Sequence, residues 1–209
     1  MSEINKAIEH IINNDNQLST IIKKFGKCNI QKHSNYLKAI ISSIIGQQLS
    51  IYAANKISQR FFEKFGTKIK ISEILAEDVE SLKKIGLSNS KIKYIKDLCF
   101  NIDNKTVSLK NLNKKTDQEI IDELTKVKGI GIWTAQMFLI FTLGRLNVLA
   151  NTDLGIRKGI KLIYGLAELP SFDEVTQLSV KNNWNPYNTI ACIYIWKYLD
   201  NNNETKLKE

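Results

Sequence analysis

Apolar positions recur every three or four residues along most of the chain, the period of a helix with one buried face. "YLKAIISSIIGQQLS" sets Leu37, Ile40, Ile41, Ile44 and Ile45 on one such face. "SIYAANKISQRFFEKFG" follows, with Ser50 as N-cap, Ala53, Ala54, Ile57 and Phe61 turned inward, and Gly66 as the stop. "SEILAED" and "DVESLKKIG" predict two short helices, and "SNSKIKYIKDLCFNI" a longer one. Towards the end, "TDLGIRKGIKLIYG", "SFDEVTQLSV" and "PYNTIACIYIWKYLD" each begin on a start signal, with Pro186 suited to a first helical turn. No segment sustains apolar–polar alternation, and prolines number only two. The pattern predicts an all-α fold of roughly ten helices joined by short loops.

One interruption carries more than packing information. "TDQEIIDEL" opens on a capping box, Thr116 with Glu119, and places Ile120, Ile121 and Leu124 at helical spacing. "WTAQMFLIFTLG" is a second apolar helix running to Gly144. Between them "VKGIGIWTA", residues 127 to 135, breaks the helix at two glycines and restarts it at once. Two antiparallel helices joined by such a turn let the backbone come very close to another molecule, because glycine has no Cβ. The turn feeds a helix N-terminus, whose unpaired N–H groups and dipole favour an anion, and Lys126 and Lys128 flank it. A nucleic-acid phosphate fits, held without regard to base sequence. A helical corner that needs glycine for packing fits the turn equally well. "SLKKIGLSNSKIKYI" echoes the same helix, apolar-glycine turn, helix arrangement. Asp153, in "NTDLGIRKGI", follows Gly131 by 22 residues at a predicted helix start, where an N-cap is the commonest role of an acid.

Composition narrows the partner. Lys and Arg total 30 against 21 Asp and Glu, a formal charge of +9 over 209 residues, which points to a polyanion. AT-rich codon usage accounts for many of the lysines, though not for the scarcity of acids. Cys28, Cys99 and Cys192 lie far apart without metal-type spacing, which argues for a reducing compartment and against disulfides or an iron–sulfur cluster. No run reads as a signal peptide or membrane span, so the chain is expected to be intracellular and off the membrane; it is also expected to act as a monomer.

Together, the Gly-x-Gly hairpin and the spaced aspartate resemble the helix-hairpin-helix (HhH-GPD) DNA glycosylases. The likeness is strongest to the alkylation-repair branch, 3-methyladenine DNA glycosylase II, where a "PGIGxWTA" hairpin precedes an essential aspartate at this distance. "IIGQQLSIYAANKI" and "WNPYNTIACIYIW" are similar to that branch too, and the resemblance covers about residues 35 to 200. It implies a single domain over residues 1–209, with two helical lobes and an active-site cleft between them. Lobe A would span about residues 35–140, including the hairpin at 125–134, and lobe B about 1–34 plus 141–209. Helical patterning is under way by residue 35, so the β-rich N-terminal domain of larger relatives is not expected.

The resemblance also implies roles. Gly129, Ile130, Gly131 and Thr134 would hold a DNA phosphate through backbone N–H groups, and Asp153 would be the catalytic carboxylate. Gln48 or Leu49 would fill the gap left by an extruded nucleotide, and Trp133, Trp196 and Met137 would line the base pocket. Carbonyls of Thr125, Val127 and Ile130 would hold a structural monovalent cation, with no other cofactor required. Trp196 reads equally as a core aromatic on an apolar helix. Two positions depart from the branch: Asn151 replaces a proline common before the aspartate, and Met137 an aromatic of some relatives. The lyase branch carries a nucleophilic lysine where this chain has Trp133, which implies base excision with the strand left intact.

The implied chemistry is consistent with one acid. Breaking an N-glycosidic bond develops positive charge on the sugar, which a carboxylate stabilises. An alkylated purine such as 3-methyladenine is already cationic and leaves without a second acid. Reaching it means flipping the base out of double-stranded DNA. Two other functions fit the same motifs: a non-enzymatic helix-hairpin-helix module that clamps DNA, and a glycosylase for oxidised or mismatched bases.

Overall fold

The computed structural model describes the backbone of residues 2–66 and 68–206, and the side chains of all of these except 203–206. Twelve α-helices follow one another: α1 (Glu3–Asn14), α2 (Asn16–Phe25), α3 (Tyr36–Gly46), α4 (Ile51–Phe65), α5 (Ile71–Ala76), α6 (Val79–Lys84), α7 (Asn89–Asp103), α8 (Asp117–Leu124), α9 (Ile132–Phe141), α10 (Leu154–Ile163), α11 (Phe172–Lys181) and α12 (Asn188–Lys206). A 3-10 turn, Leu112–Lys114, precedes α8, and no strand occurs among the described residues. Among the described residues, no helix is long and apolar enough to cross a membrane. Short polar side chains start most of them. Ser50, Asp78, Ser88, Thr116 and Ser171 each accept a backbone N–H from three residues on, and Thr116 and Ser171 close full capping boxes with Glu119 and Glu174.

Two compact units emerge, one from His33–Phe138 and one from Met1–Lys32 with Leu139–Glu209. In the first, α3 buries Ile40, Ile41, Ile44 and Ile45, and α4 buries Phe61 and Phe65 while Ala53, Ala54 and Ile57 are half-buried. Helix α7 packs on α3, α5 and α6 through Ile92, Ile95, Leu98 and Cys99. Each fully buried aliphatic side chain contributes about 1.5–3 kcal/mol relative to exposure.

In the second unit α12 packs on α10, α2 and α1. Glycines four residues apart on α10 permit the close approach. A Cβ on Gly159 would lie 2.4 Å from Ile195 Cγ2, and one on Gly155 would lie 3.3 Å from the Trp196 ring. The same unit is pinned by a buried carboxylate. Asp15 ends α1 and caps α2, accepting the Leu18 N–H at 2.9 Å, the Trp184 indole N–H at 2.7 Å and the Tyr164 hydroxyl. Three donors satisfy a charge that burial would otherwise strongly penalise.

Three local features differ from the periodicity. Two amphipathic helices precede residue 35, burying Ala7, Ile8 and Ile11 on α1 and Leu18, Ile21 and Ile22 on α2. Helix α9 ends at Phe141, and Gly144 instead closes the following turn at φ +66°. Pro186 lies outside α12 behind a cis peptide bond, two residues before the first helical residue, Asn188.

Candidate active site

The hairpin forms because α8 and α9 flank a turn whose apolar members point inward. Leu124, Val127 and Ile130 are buried, and the Ile130 N–H returns to the Val127 carbonyl at 3.1 Å. The two glycines do different work. Gly129 sits at φ +83°, and a Cβ there would overlap the Tyr94 ring at 2.2 Å, so the fold itself demands glycine. Gly131 has ordinary dihedrals, and nothing lies within 4 Å of where its Cβ would be. Internal packing therefore gives no reason for glycine at 131. Gly131 immediately precedes α9.

Helix α7 supports the turn from beneath. The Asp97 carboxylate accepts the Lys128 N–H at 2.8 Å and an Asn101 amide N–H at 3.1 Å. Lys126 is paired with Glu123 at 2.7 Å, which leaves the Lys128 ammonium, 3.9 Å from Asp97, as the more weakly held of the two flanking cations. The Val127 carbonyl accepts the Ile130 N–H and keeps a second lone pair. The α3–α4 turn lies in the same unit and touches the hairpin directly: Gln47 Nε2 donates to the Gly129 carbonyl at 2.8 Å. Gln48 follows in the left-handed region at φ +56°, and Leu49, Ile51 and Tyr52 are exposed. On α9, Trp133 is exposed, Met137 is half-buried one turn later, and the Thr134 side chain is buried.

Asp153 belongs to the other unit. It is the N-cap of α10, its Oδ1 accepting the Ile156 N–H at 2.8 Å and the Trp196 indole N–H at 2.9 Å. Trp196 reaches it because Gly155 leaves the gap, and the indole rests on Phe141 with ring centroids 5.7 Å apart. One residue thus combines a capping role with a half-buried charge held by two N–H donors. The link from Trp196 to Asp153 is absent from the sequence reading, although the helical glycines in "LGIRKG" are its signature. Asn151 donates to the Thr176 hydroxyl at 3.2 Å, which anchors the loop entering α10 without proline. Arg157 is fastened away from α10, donating to the Pro170 carbonyl at 2.6 Å and stacking on Phe172. The three cysteines are buried, and burial pushes the Cys99 and Cys192 thiols up to about 12, so neither is a nucleophile at neutral pH.

Residues 41–186 match the family profile described as HhH-GPD superfamily base excision DNA repair protein. An alkylbase DNA glycosidase-like protein of Schizosaccharomyces pombe is 32% identical, the match covering 94% of each chain. Among solved structures, a DNA-3-methyladenine glycosidase from Bacillus halodurans superposes with a TM-score of 0.80 at 34% identity, over 92% of this chain and 88% of that one. A 3-methyladenine DNA glycosylase of S. pombe, solved in complex with abasic DNA, gives 0.80 at 30% identity, over 92% and 95%.

Proposed function

The chain belongs to the HhH-GPD superfamily of base excision DNA repair proteins, and from that premise we propose that it is a monofunctional DNA glycosylase for alkylated bases. Its substrate is double-stranded DNA carrying a lesion such as 3-methyladenine, and it acts as a monomer. The observation that carries this reading is Asp153, a carboxylate fixed by the Ile156 N–H and the Trp196 indole. A purely structural N-cap needs no second donor from α12.

In the proposed reaction the C1′–N bond breaks and its electron pair leaves with the base. A cationic alkylated purine departs as the neutral base. The sugar takes up positive charge, which the Asp153 carboxylate stabilises, and water then adds at C1′ and loses a proton. The N–H groups of Gly129, Gly131 and Thr134 hold a phosphate, the Ile130 N–H being already spent on the Val127 carbonyl, Gln48 or Leu49 fills the emptied stack, and Trp133 and Met137 receive the base. Electron-rich tryptophan attracts a cationic base by about 0.5–2 kcal/mol. Trp196 holds Asp153 through its indole N–H. A monovalent cation on the carbonyls of Thr125, Val127 and Ile130 would neutralise the oxygen-lined side of the hairpin. With tryptophan at position 133, no amine is supplied there for Schiff-base chemistry, and the strand survives excision.

Incubation with methylated duplex DNA tests the reading. Free alkylated bases should appear by chromatography, and strand breaks only after alkali or heat. Borohydride should trap no protein–DNA adduct. Failure to release any base would leave a DNA-clamping module, and efficient trapping would place the chain among the lyases.

A further inference from the structure

The hydrogen bond from Gln47 to the hairpin joins two parts to which different tasks are assigned. On one side lies the Gly129–Gly131 turn, the phosphate clamp. On the other lies the α3–α4 turn, with Gln48 strained at φ +56° and apolar side chains presented to solvent, Ile51 82% and Tyr52 70% exposed. Surface exposure of adjacent large apolar groups marks a surface that meets a partner. The 2.8 Å bond from Gln47 Nε2 to the Gly129 carbonyl spans 82 residues of sequence.

The two turns share a foundation. Lys91, Tyr94 and Asp97 recur every third residue along one stretch of α7. Lys91 Nζ donates to the Ile45 carbonyl at 2.7 Å, closing the last turn of α3 just before the strained segment. Tyr94 lies against Gly129, and Asp97 accepts the Lys128 N–H. One helix therefore fixes the base of each turn, and Gln47 is the direct strut between their tips. Gly129 has no side chain with which to make such a contact, so its carbonyl is the available acceptor.

We propose that Gln47 is a positioning residue that sets the register between the phosphate clamp and the turn that enters the duplex. It touches no reacting atom. A phosphate seated on the hairpin fixes where the duplex lies, and the strut then fixes where Gln48 and Leu49 meet the stack. This rests on the clamp and gap-filling roles proposed above. It predicts that loss of the strut spares attachment to DNA and impairs entry into a gap.

The test uses the full chain with two duplexes, one intact and one holding a tetrahydrofuran abasic analogue beside 2-aminopurine, whose fluorescence reports unstacking. Gln47→Met and Gln47→Leu remove the donor at nearly constant volume without adding charge. Both should bind intact duplex within about twofold of the parent, with unchanged circular dichroism. Preference for the abasic duplex should fall about tenfold, in line with loss of one hydrogen bond, and most of the fluorescence change should vanish. Leu49→Ala should lose the fluorescence change with the strut intact. Variants that keep both preference and signal would overturn the proposal, as would equal loss of affinity for the two duplexes, which would assign Gln47 to the clamp alone. A parent protein with no abasic preference and no signal would instead overturn the underlying gap-filling reading.

Discussion

Asp153 carries the residue-scale question, because the same side chain caps a helix and supplies a negative charge. The two roles separate on substitution. Asp153→Asn retains a carbonyl oxygen able to accept from Ile156 N–H and from the Trp196 indole, so the cap survives and stability should change by no more than a few tenths of a kcal/mol. The charge disappears. A unit charge near 4 Å from a developing cation, at an effective dielectric of about 20, is worth about 4 kcal/mol, or about a thousandfold in rate. Single-turnover release of methylated bases should fall by about that factor while binding to duplex DNA holds or tightens. A folded Asp153→Asn protein excising at close to the parental rate would reduce Asp153 to a cap.

At the scale of elements, the chain contains two helix–glycine–helix corners, and only one is built open. In the α6–α7 corner, Gly86 stands at φ +107°, a Cβ there would meet Ile57 at 3.1 Å, and Arg60 donates to the Ile85 carbonyl at 3.4 Å. Ser88 caps α7 with its own hydroxyl, so the Lys91 N–H already has a protein acceptor. In the α8–α9 corner the equivalent place is Gly131, with open space around it. The repeat visible in sequence is thus one packing corner and one candidate clamp. Gly129→Ala should destabilise by about 1–3 kcal/mol, from the left-handed backbone and the collision with Tyr94. Gly131→Val should lower the thermal midpoint by less than Gly129→Ala does, since a Cβ there meets open space, and weaken binding to damaged and undamaged duplex alike. Thermal unfolding and fluorescence anisotropy on the two variants separate the roles. A Gly131→Val protein with its midpoint lowered as far as that of Gly129→Ala, and with normal affinity, would make both glycines packing devices.

For the whole molecule, the Asp15 junction ties the N-terminal helices to the C-terminal part of the chain, and it sets an alkaline limit. Burial, then the Asp15 charge and the hydrogen bond to it, push the Tyr164 hydroxyl well above its ordinary 10.0. Burial raises Tyr194 in the same direction. A phenol that keeps its proton when folded and loses it when unfolded contributes stability that is full below pH 10 and declines as pH rises beyond it. Urea midpoints measured from pH 7 to 11 should therefore fall steeply above about 10. Tyr164→Phe should lower stability at pH 7 by about 1–3 kcal/mol, since Asp15 loses a donor, and should flatten the alkaline decline in part. An unchanged alkaline slope in Tyr164→Phe would remove this residue from the limit.

Local order was largely legible along the chain. Helical periodicity and short capping side chains depend on neighbours within four residues, which is why α3, α4, α7, α8, α10 and α11 follow the pattern read for them. The hairpin glycines and the spaced aspartate also stand in linear order, so family membership was legible in the sequence. Boundaries set by distant packing were not. Helix α9 stops at Phe141 rather than Gly144, and a Cβ on Gly144 would press to 2.8 Å on Lys32, which lies more than a hundred residues earlier. Tertiary structure alone divided the labour of Gly129 and Gly131, since only the presence of Tyr94 beside one and empty space beside the other distinguishes them. It alone brought Trp196 to Asp153 across 43 residues, and Gln47 to Gly129 across 82. Periodicity records which face of a helix is buried; which partner lies on that face depends on contacts between segments far apart in the chain.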